Sequence, residues 1–215
     1  MKPYRAKTPG LIRRLYAKRI WKLPTSKKVL YLTFDDGPIP EVTPWVLETL
    51  DKYKAKATFF CIGSNALEHP AILKNILQTG HRLGNHTQHH KSAFKQSTAE
   101  LVAQVNQCHN TFLETLQTKP ERTKLFRPPY GKLKSAQAKA LYKRGYQVVM
   151  WNVLSADFDT SIPKEQCLQN VLKYAKSGSI IVFHDSLKAQ ERMHYALPKV
   201  LEHFTNKGFK FKCIP

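Results

Sequence analysis

The chain of 215 residues has the composition of an ordinary globular protein, with 42% hydrophobic and 23% charged residues, which is enough for one sizeable core. Lys and Arg number 35 against 15 Asp and Glu, and the net charge of +20 favours anionic partners such as acidic glycans, lipid head groups or nucleic acid. No CxxC pair is present among the four cysteines, which argues against zinc-finger and dithiol redox functions and predicts free thiols.

Residues 1–27 form a basic N-terminal segment ahead of a single domain at 28–215. The pattern over residues 9–21 predicts a short amphipathic helix that packs on the domain, with an anionic membrane surface as the alternative contact. The segment lacks the apolar run of a secretory signal, and no stretch has the length of a membrane span. We therefore expect a cytoplasmic or peripherally membrane-associated protein.

Short β-prone runs alternate with helical patterns along the rest of the chain. This alternation predicts βα units around a parallel sheet, arranged as a barrel or a doubly wound sheet. In either case functional residues should cluster beyond the carboxyl ends of the strands. The predicted strands are 29–34, 57–63, 81–85, 125–130, 147–153, 179–185 and 209–214, and the predicted helices are 43–53, 69–80, 97–117, 135–145, 164–178 and 197–208.

Two adjacent carboxylates, Asp35 and Asp36, end the first predicted strand and precede Gly37-Pro38. Taken alone, this sequence is typical of a polar turn. Neighbouring side chains of a strand point to opposite faces, and two close carboxylates repel each other. A functional interpretation therefore depends on the polar residues that follow the other strands.

Polar residues do follow the other strands. His86 and His90 lie four residues apart, so one helical turn would place them on the same face. Two histidines and a carboxylate form a three-ligand set that leaves a position open to water. His89 lacks this spacing, and we treat it as structural or as a neighbour of the ligands. The fourth predicted strand carries Arg127.

Asp157 follows the fifth predicted strand and His184 ends the sixth, while no GxGxxG or P-loop occurs at any strand end. The absence of these two phosphate-binding motifs argues against dinucleotide and nucleoside-triphosphate chemistry. A carboxylate and an imidazole near a three-ligand set predict metal-assisted hydrolysis, with Asp as the base and His as the acid.

Five segments in order resemble the motifs of polysaccharide deacetylases, the NodB-like carbohydrate esterase family 4. The resemblance covers residues 28–214 and implies a single-domain α/β fold, a distorted (β/α)7-type barrel. It also implies metal-dependent removal of N- or O-acetyl groups from an acetylated polysaccharide or amino-sugar oligomer. The segments are TFDDGP (33–38), HTQHH (86–90), RPPYG (127–131), WNVLSADF (151–158) and IVFHD (181–185).

The resemblance implies that Asp36, His86 and His90 bind one divalent metal ion. We expect zinc, which suits two histidines, one carboxylate and water, with cobalt or nickel as alternatives. Asp35 would be the general base for the attacking water, and Arg127 would keep that carboxylate ionised and oriented.

The remaining roles implied by the resemblance concern the acid and the substrate. His184 would be the general acid with Asp157 as its charge partner, and the backbone N–H of Tyr130 would help to stabilise the oxyanion. Val182 would form an apolar floor for the acetyl methyl group, and Pro129, Tyr130 and Phe158 would contact the substrate.

The fourth motif departs from the family pattern DxxDW, because Leu154 replaces the first Asp and Phe158 replaces the Trp. Phe158 lacks an indole N–H and offers less stacking area, so the departure concerns substrate identity more than reaction type. We expect Trp151 to belong to the core rather than to a sugar platform.

Two other functions remain as alternatives. A metal-dependent phosphoesterase would suit the positive charge, although two-metal sites need more ligands than these three. The second alternative is a glycan-binding relative that keeps the barrel but has lost catalytic activity. An acetylated glycan is the expected partner, no specific nucleic-acid partner is expected, and the basic surface could contact an anionic membrane or acidic glycan.

Overall fold

The computed structural model describes residues 4–117 and 124–215. Within this part of the chain a parallel sheet runs in the order β5-β4-β3-β2-β1-β7-β6, and β8 pairs with β1. The strands are β1 (Val29–Asp35), β2 (Ala57–Cys61), β3 (Arg82–Asn85), β4 (Lys124–Phe126), β5 (Tyr146–Val148), β6 (Val153–Leu154), β7 (Ile180–His184) and β8 (Lys210–Phe211).

Helices connect most of these strands, and the sheet curls into a distorted (β/α)7-type barrel. The predicted α/β fold class is therefore confirmed. Two single turns of 3-10 helix, Ala93–Lys95 and Pro129–Gly131, follow β3 and β4. The α-helices are α1 (Gly10–Leu15), α2 (Thr43–Lys52), α3 (Gly63–Glu68), α4 (Pro70–Gln78), α5 (Thr98–Leu116), α6 (Ser135–Tyr142), α7 (Lys164–Tyr174) and α8 (Gln190–Asn206).

The core lies against the three central strands, β2, β1 and β7. Phe34 of β1 stacks on Phe59 and Phe183 of the neighbouring strands, with ring centroids 5.0 and 6.1 Å apart. All three rings are fully buried. A parallel sheet is covered on both faces, which explains why these strands read as continuous apolar runs.

Several predicted elements differ from the structure in their bounds, and one helix was not predicted. The run 147–153 is not one strand, because its backbone leaves β4 at Val149 and hydrogen-bonds to β7 from Asn152 onwards. Helix α8 begins at Gln190 and contains Pro198 in its interior, whereas Pro is more usual in a first turn. The short helix α3 had no sequence signal of its own.

The N-terminal segment connects the two edges of the curled sheet. Ile20 donates a backbone hydrogen bond to Val148 of β5, and Leu154 of β6 donates one to Ala6. Helix α1 is shorter than the predicted 9–21, and its Leu11 and Leu15 are 79% and 72% exposed. Residues 1–3 of this segment lie outside the described residues. None of the helices in the described ranges combines the length and apolar character needed to cross a membrane.

Candidate active site

The adjacent carboxylates at the end of β1 face different surroundings. Asp35 is the last residue of the strand, lies beside His184 in the sheet register, and is only 4% exposed. Asp36 follows with φ of 86°, which turns the backbone out of the pleat. A Cβ at Gly37 would lie 2.0 Å from the Asp185 carboxylate, so the turn needs glycine there. The turn therefore separates the two carboxylates.

Asp36, His86 and His90 form a cluster of candidate metal ligands. Asp36 Oδ1 lies 3.6 Å from His86 Nε2 and 3.2 Å from His90 Nε2. One such atom from each side chain falls within 4.8 Å of the other two. Ligand atoms at about 2.0–2.2 Å from one tetrahedral ion are roughly 3.3–3.6 Å apart, so these separations fit a single cation.

The hydrogen bonding of the cluster also fits a cation. His86 Nδ1 lies 2.8 Å from the carbonyl oxygen of Arg127 and can only donate to it, which leaves the Nε2 lone pair directed at Asp36. Burial lowers the pKa of His86 to about 4, so its ring is neutral near pH 7. Asp36 Oδ1 is a buried oxygen with no hydrogen-bond partner among the described residues. A cation is the group that satisfies both lone pairs.

The spacing of His86 and His90 predicted a helical turn, but the two histidines do not lie on one. Residues 86–90 form a loop after β3, with φ of 70° at Thr87 and 50° at His90. These left-handed residues fold the loop back, so the rings still approach to a centroid distance of 5.0 Å. The exposed His89 lies outside the cluster.

Arg127 forms a buried ion pair with Asp35. Its Nη1 donates to Asp35 Oδ1 over 2.6 Å and to Thr33 Oγ1 over 2.8 Å, and the arginine is fully buried. Burial would raise the pKa of Asp35, but the Arg127 guanidinium, with smaller contributions from nearby histidines, outweighs it and holds the pKa below its usual value. Asp35 is therefore an ionised carboxylate at neutral pH.

His184 forms a second carboxylate pair on the other side of Asp35. Its Nδ1–H donates to Asp157 Oδ1 over 2.7 Å, and its backbone N–H donates to Oδ2 over the same distance. Burial lowers the pKa of His184, but the Asp157 carboxylate outweighs it, and the pKa rises to about 9. His184 is therefore protonated at neutral pH and can give up a proton.

The candidate substrate residues surround these groups. Tyr130 is 64% exposed, and its ring lies 4.8 Å from that of His90. The Phe158 ring meets the His184 ring edge-on at 5.1 Å. Pro129 is buried beneath Tyr130, and Val182 is a fully buried residue two positions before His184, on the same face of β7.

Sequence reasoning assigned no role to several supporting residues. Asp185 accepts hydrogen bonds from the Gly37 N–H and the Thr43 hydroxyl, and Asn65 donates to the carbonyl of Asp36. Ser155 donates to Asp157. Asp185 carried a detectable signal, an acidic residue directly after His184, but its contact with Gly37 depends on how β1 and β7 pair.

The candidate site therefore combines a curled parallel sheet with an ionised carboxylate, Asp35, beside a carboxylate-paired histidine, His184. Residues 22–149 match the family model for polysaccharide deacetylase. The chain is 37% identical over 192 residues to a peptidoglycan-N-acetylglucosamine deacetylase of Bacillus cereus. This alignment covers 89% of this chain and 88% of that protein. The chain therefore belongs to the polysaccharide deacetylase family.

Two further comparisons agree with this assignment. A chitooligosaccharide deacetylase of Azorhizobium caulinodans is 34% identical over 171 residues, covering 79% of this chain and 80% of its own. The crystal structure of a peptidoglycan N-acetylglucosamine deacetylase in complex with a naphthalenyl benzamide superposes with a TM-score of 0.87 and 31% identity. That superposition covers 97% of this chain and 95% of the other, so it extends beyond residue 149 to the segment that carries Asp157 and His184.

Proposed function

We propose that this protein is a metal-dependent deacetylase that removes acetyl groups from an amino-sugar polymer, with the N-acetyl group as the preferred target. The relatives named above act on N-acetylglucosamine of peptidoglycan and on chitooligosaccharides, which supports an acetylated glycan as the substrate. The observation that carries the proposal is the unpartnered Asp36 oxygen between two histidine nitrogens, next to the ionised Asp35. Residues 28–215 would form the catalytic domain.

Asp36, His86 and His90 would hold the divalent ion, and zinc suits this donor set best, with cobalt or nickel as alternatives. When bound, the ion supplies Lewis acidity towards water and towards a carbonyl oxygen. Asp35 acts as the general base, because it is ionised at neutral pH and lies one residue from the ligand Asp36. It accepts the proton of the water that attacks the acetyl carbon. Arg127 keeps the Asp35 carboxylate charged and fixed in position.

Tyr130 and His184 complete the reaction on the substrate side. The backbone N–H of Tyr130 would donate to the oxyanion that forms at the acetyl carbonyl. The protonated His184 would then give its Nε2 proton to the leaving sugar nitrogen, while Asp157 holds the imidazolium. Val182 would lie under the acetyl methyl group, and Pro129, Tyr130 and Phe158 would contact the sugar.

Neither alternative function has equal support. The described residues contain one group of three metal-ligating side chains, whereas two-metal phosphoesterases need a second set. A non-catalytic relative would not need a protonated His184 opposite an ionised Asp35. The basic surface stays a candidate contact for an anionic membrane or acidic glycan.

A screen for acetate release tests the proposed function. Zinc-loaded protein should release acetate from N-acetylglucosamine oligomers or peptidoglycan, a chelator should stop the release, and added zinc should restore it. Hydrolysis of a phosphodiester without acetate release would favour the phosphoesterase. The absence of both activities across the glycan panel would favour the non-catalytic relative.

The His184–Asp157 pair predicts a particular pH dependence. The pKa of His184 is raised to about 9, so the acid is protonated below this pH and activity should fall as the pH rises through it. Asp157→Asn removes the charge that raises the pKa, and the alkaline limb of kcat/KM should move to lower pH. The control Glu191→Gln changes a carboxylate that is 77% exposed and should leave the limb unchanged. An unmoved limb in Asp157→Asn would contradict the acid assignment.

A further inference from the structure

A groove runs between the N-terminal segment and the barrel, and Tyr130, one of its lining residues, contacts His90 of the candidate metal cluster. Its volume is about 650 Å³, within the range of small-molecule sites, on the order of 300–1,000 Å³. Tyr4, Arg5 and Leu11 line it on the N-terminal side, and Tyr130, Trp151 and Leu154 line it on the barrel side. We call this the N-terminal groove.

The walls of the N-terminal groove contact residues on both sides of the reaction centre. Tyr130 lies against His90, with ring centroids 4.8 Å apart. Tyr4 packs edge-on against Phe158 at 5.4 Å, and Phe158 in turn contacts His184. The groove therefore lies where a polymer would continue from a sugar whose acetyl group is at the metal cluster.

The floor of the N-terminal groove is aromatic and held in place by the catalytic scaffold. Trp151 is partly buried and packs against the core, as expected, but it also lines the groove, and its ring lies 5.7 Å from the guanidinium carbon of Arg127. A Cβ at Gly131 would lie 2.5 Å from the Trp151 ring, so glycine leaves room for it. Aromatic side chains with a polar rim are typical of sites that bind a partly apolar ring.

The charge of the N-terminal groove is positive. Among the described residues that line it, Arg5 is the one basic residue and no carboxylate is present. Leu154 stands where the resembling motif has an aspartate, so the floor also lacks that negative charge. A guanidinium recognises a carboxylate by charge-assisted hydrogen bonds.

We propose that the N-terminal groove binds the sugar next to the one that is deacetylated, and that it selects a sugar bearing a carboxylate. The sugar ring lies against Trp151 and the carboxylate meets Arg5. This inference rests on the proposed function for the identity of the polymer, and it makes the N-terminal segment part of the substrate site.

Calorimetric titration of the metal-free protein tests this inference independently of catalysis. The two probes are a neutral tetramer of N-acetylglucosamine and a tetramer in which N-acetylglucosamine alternates with carboxylate-bearing N-acetylmuramic acid. The wild-type protein should bind the carboxylated tetramer more tightly. Arg5→Ala should weaken that binding about 2- to 5-fold, as expected for loss of one solvent-exposed ion pair, and leave the neutral tetramer unaffected.

Leu11→Glu provides a second variant, because its side chain is exposed and the substitution places a negative charge in the wall. It should weaken binding of the carboxylated tetramer more than that of the neutral one. Arg14→Ala and Leu67→Glu are matched controls on exposed residues outside the lining and should change neither affinity.

Three results would overturn the inference. The first is equal affinity of the wild-type protein for the two tetramers, and the second is that Arg5→Ala and Leu11→Glu bind both tetramers as their controls do. The third is that the protein binds phosphatidylglycerol vesicles and that Leu11→Glu abolishes this binding without changing the affinity for either tetramer. The last result would assign the exposed side of α1 to lipid instead. If oligosaccharide binding follows the prediction but the zinc-loaded protein releases no acetate, the proposed function fails and the groove assignment stands.

Discussion

Asp35→Asn is expected to reduce kcat for deacetylation by about 10²- to 10⁴-fold, the usual contribution of a general base. The substitution keeps the shape of the side chain but removes the charge that accepts the proton. Metal affinity should persist, because Asp36, His86 and His90 are unchanged. Parallel measurements of acetate release and zinc binding test both parts.

The control for this prediction is Asp51→Asn, which changes an exposed aspartate at the end of α2. It should retain full activity. Wild-type turnover in Asp35→Asn with zinc bound would refute the assignment of Asp35 as the base. Loss of zinc binding in this variant would instead show that the two adjacent carboxylates share the ion.

Arg127→Met is expected to lower the free energy of unfolding by about 3–5 kcal/mol, as when one partner of a buried ion pair is removed. Asp35 would be left as a buried carboxylate without its cation. The variant also loses hydrogen bonds from the guanidinium to Thr33 and to the backbone of Met150. Denaturant unfolding of the metal-free protein measures this effect.

A matched control, Arg144→Met, removes an exposed arginine whose side chain donates a hydrogen bond to the carbonyl of Ala140 in the preceding helix α6. Its effect should stay within about 0.5 kcal/mol. Equal stability of the two variants would contradict the view that Arg127 and Asp35 depend on each other. Arg127→Met should also release little acetate at temperatures where it remains folded, because Asp35 would lose its low pKa.

The alternation of strands and helices predicted βα units around a parallel sheet, because such units leave a strong pattern of apolar runs and helix ends. It left a barrel and a doubly wound sheet open, and the family resemblance implied the barrel. The ends of strands and helices were less predictable where hydrogen bonds to distant parts of the chain determine them. The run 147–153 has a uniform β propensity, yet its backbone passes from one neighbour to another at Val149 and Asn152. The helix predicted at 197–208 begins earlier in the structure, at Gln190, and Pro198 lies inside it.

The candidate site could be predicted in its residues but not in its geometry. The carboxyl-end rule brought Asp35, Asp36 and His184 together, since each ends or follows a strand. The convergence of His86 and His90 depends on left-handed backbone at Thr87 and His90, which their spacing could not show. The apolar pattern of the N-terminal segment likewise predicted an amphipathic helix. It could not show that the segment connects β5 to β6 and lines a groove.

A titration of zinc into the metal-free protein, with acetate release from an N-acetylglucosamine oligomer and bound zinc recorded together, tests the central claim most directly. Activity should rise from near zero and saturate at one ion per chain, and His90→Ala should weaken both binding and activity in parallel. Full acetate release without added metal, or saturation unchanged in His90→Ala, would contradict the account.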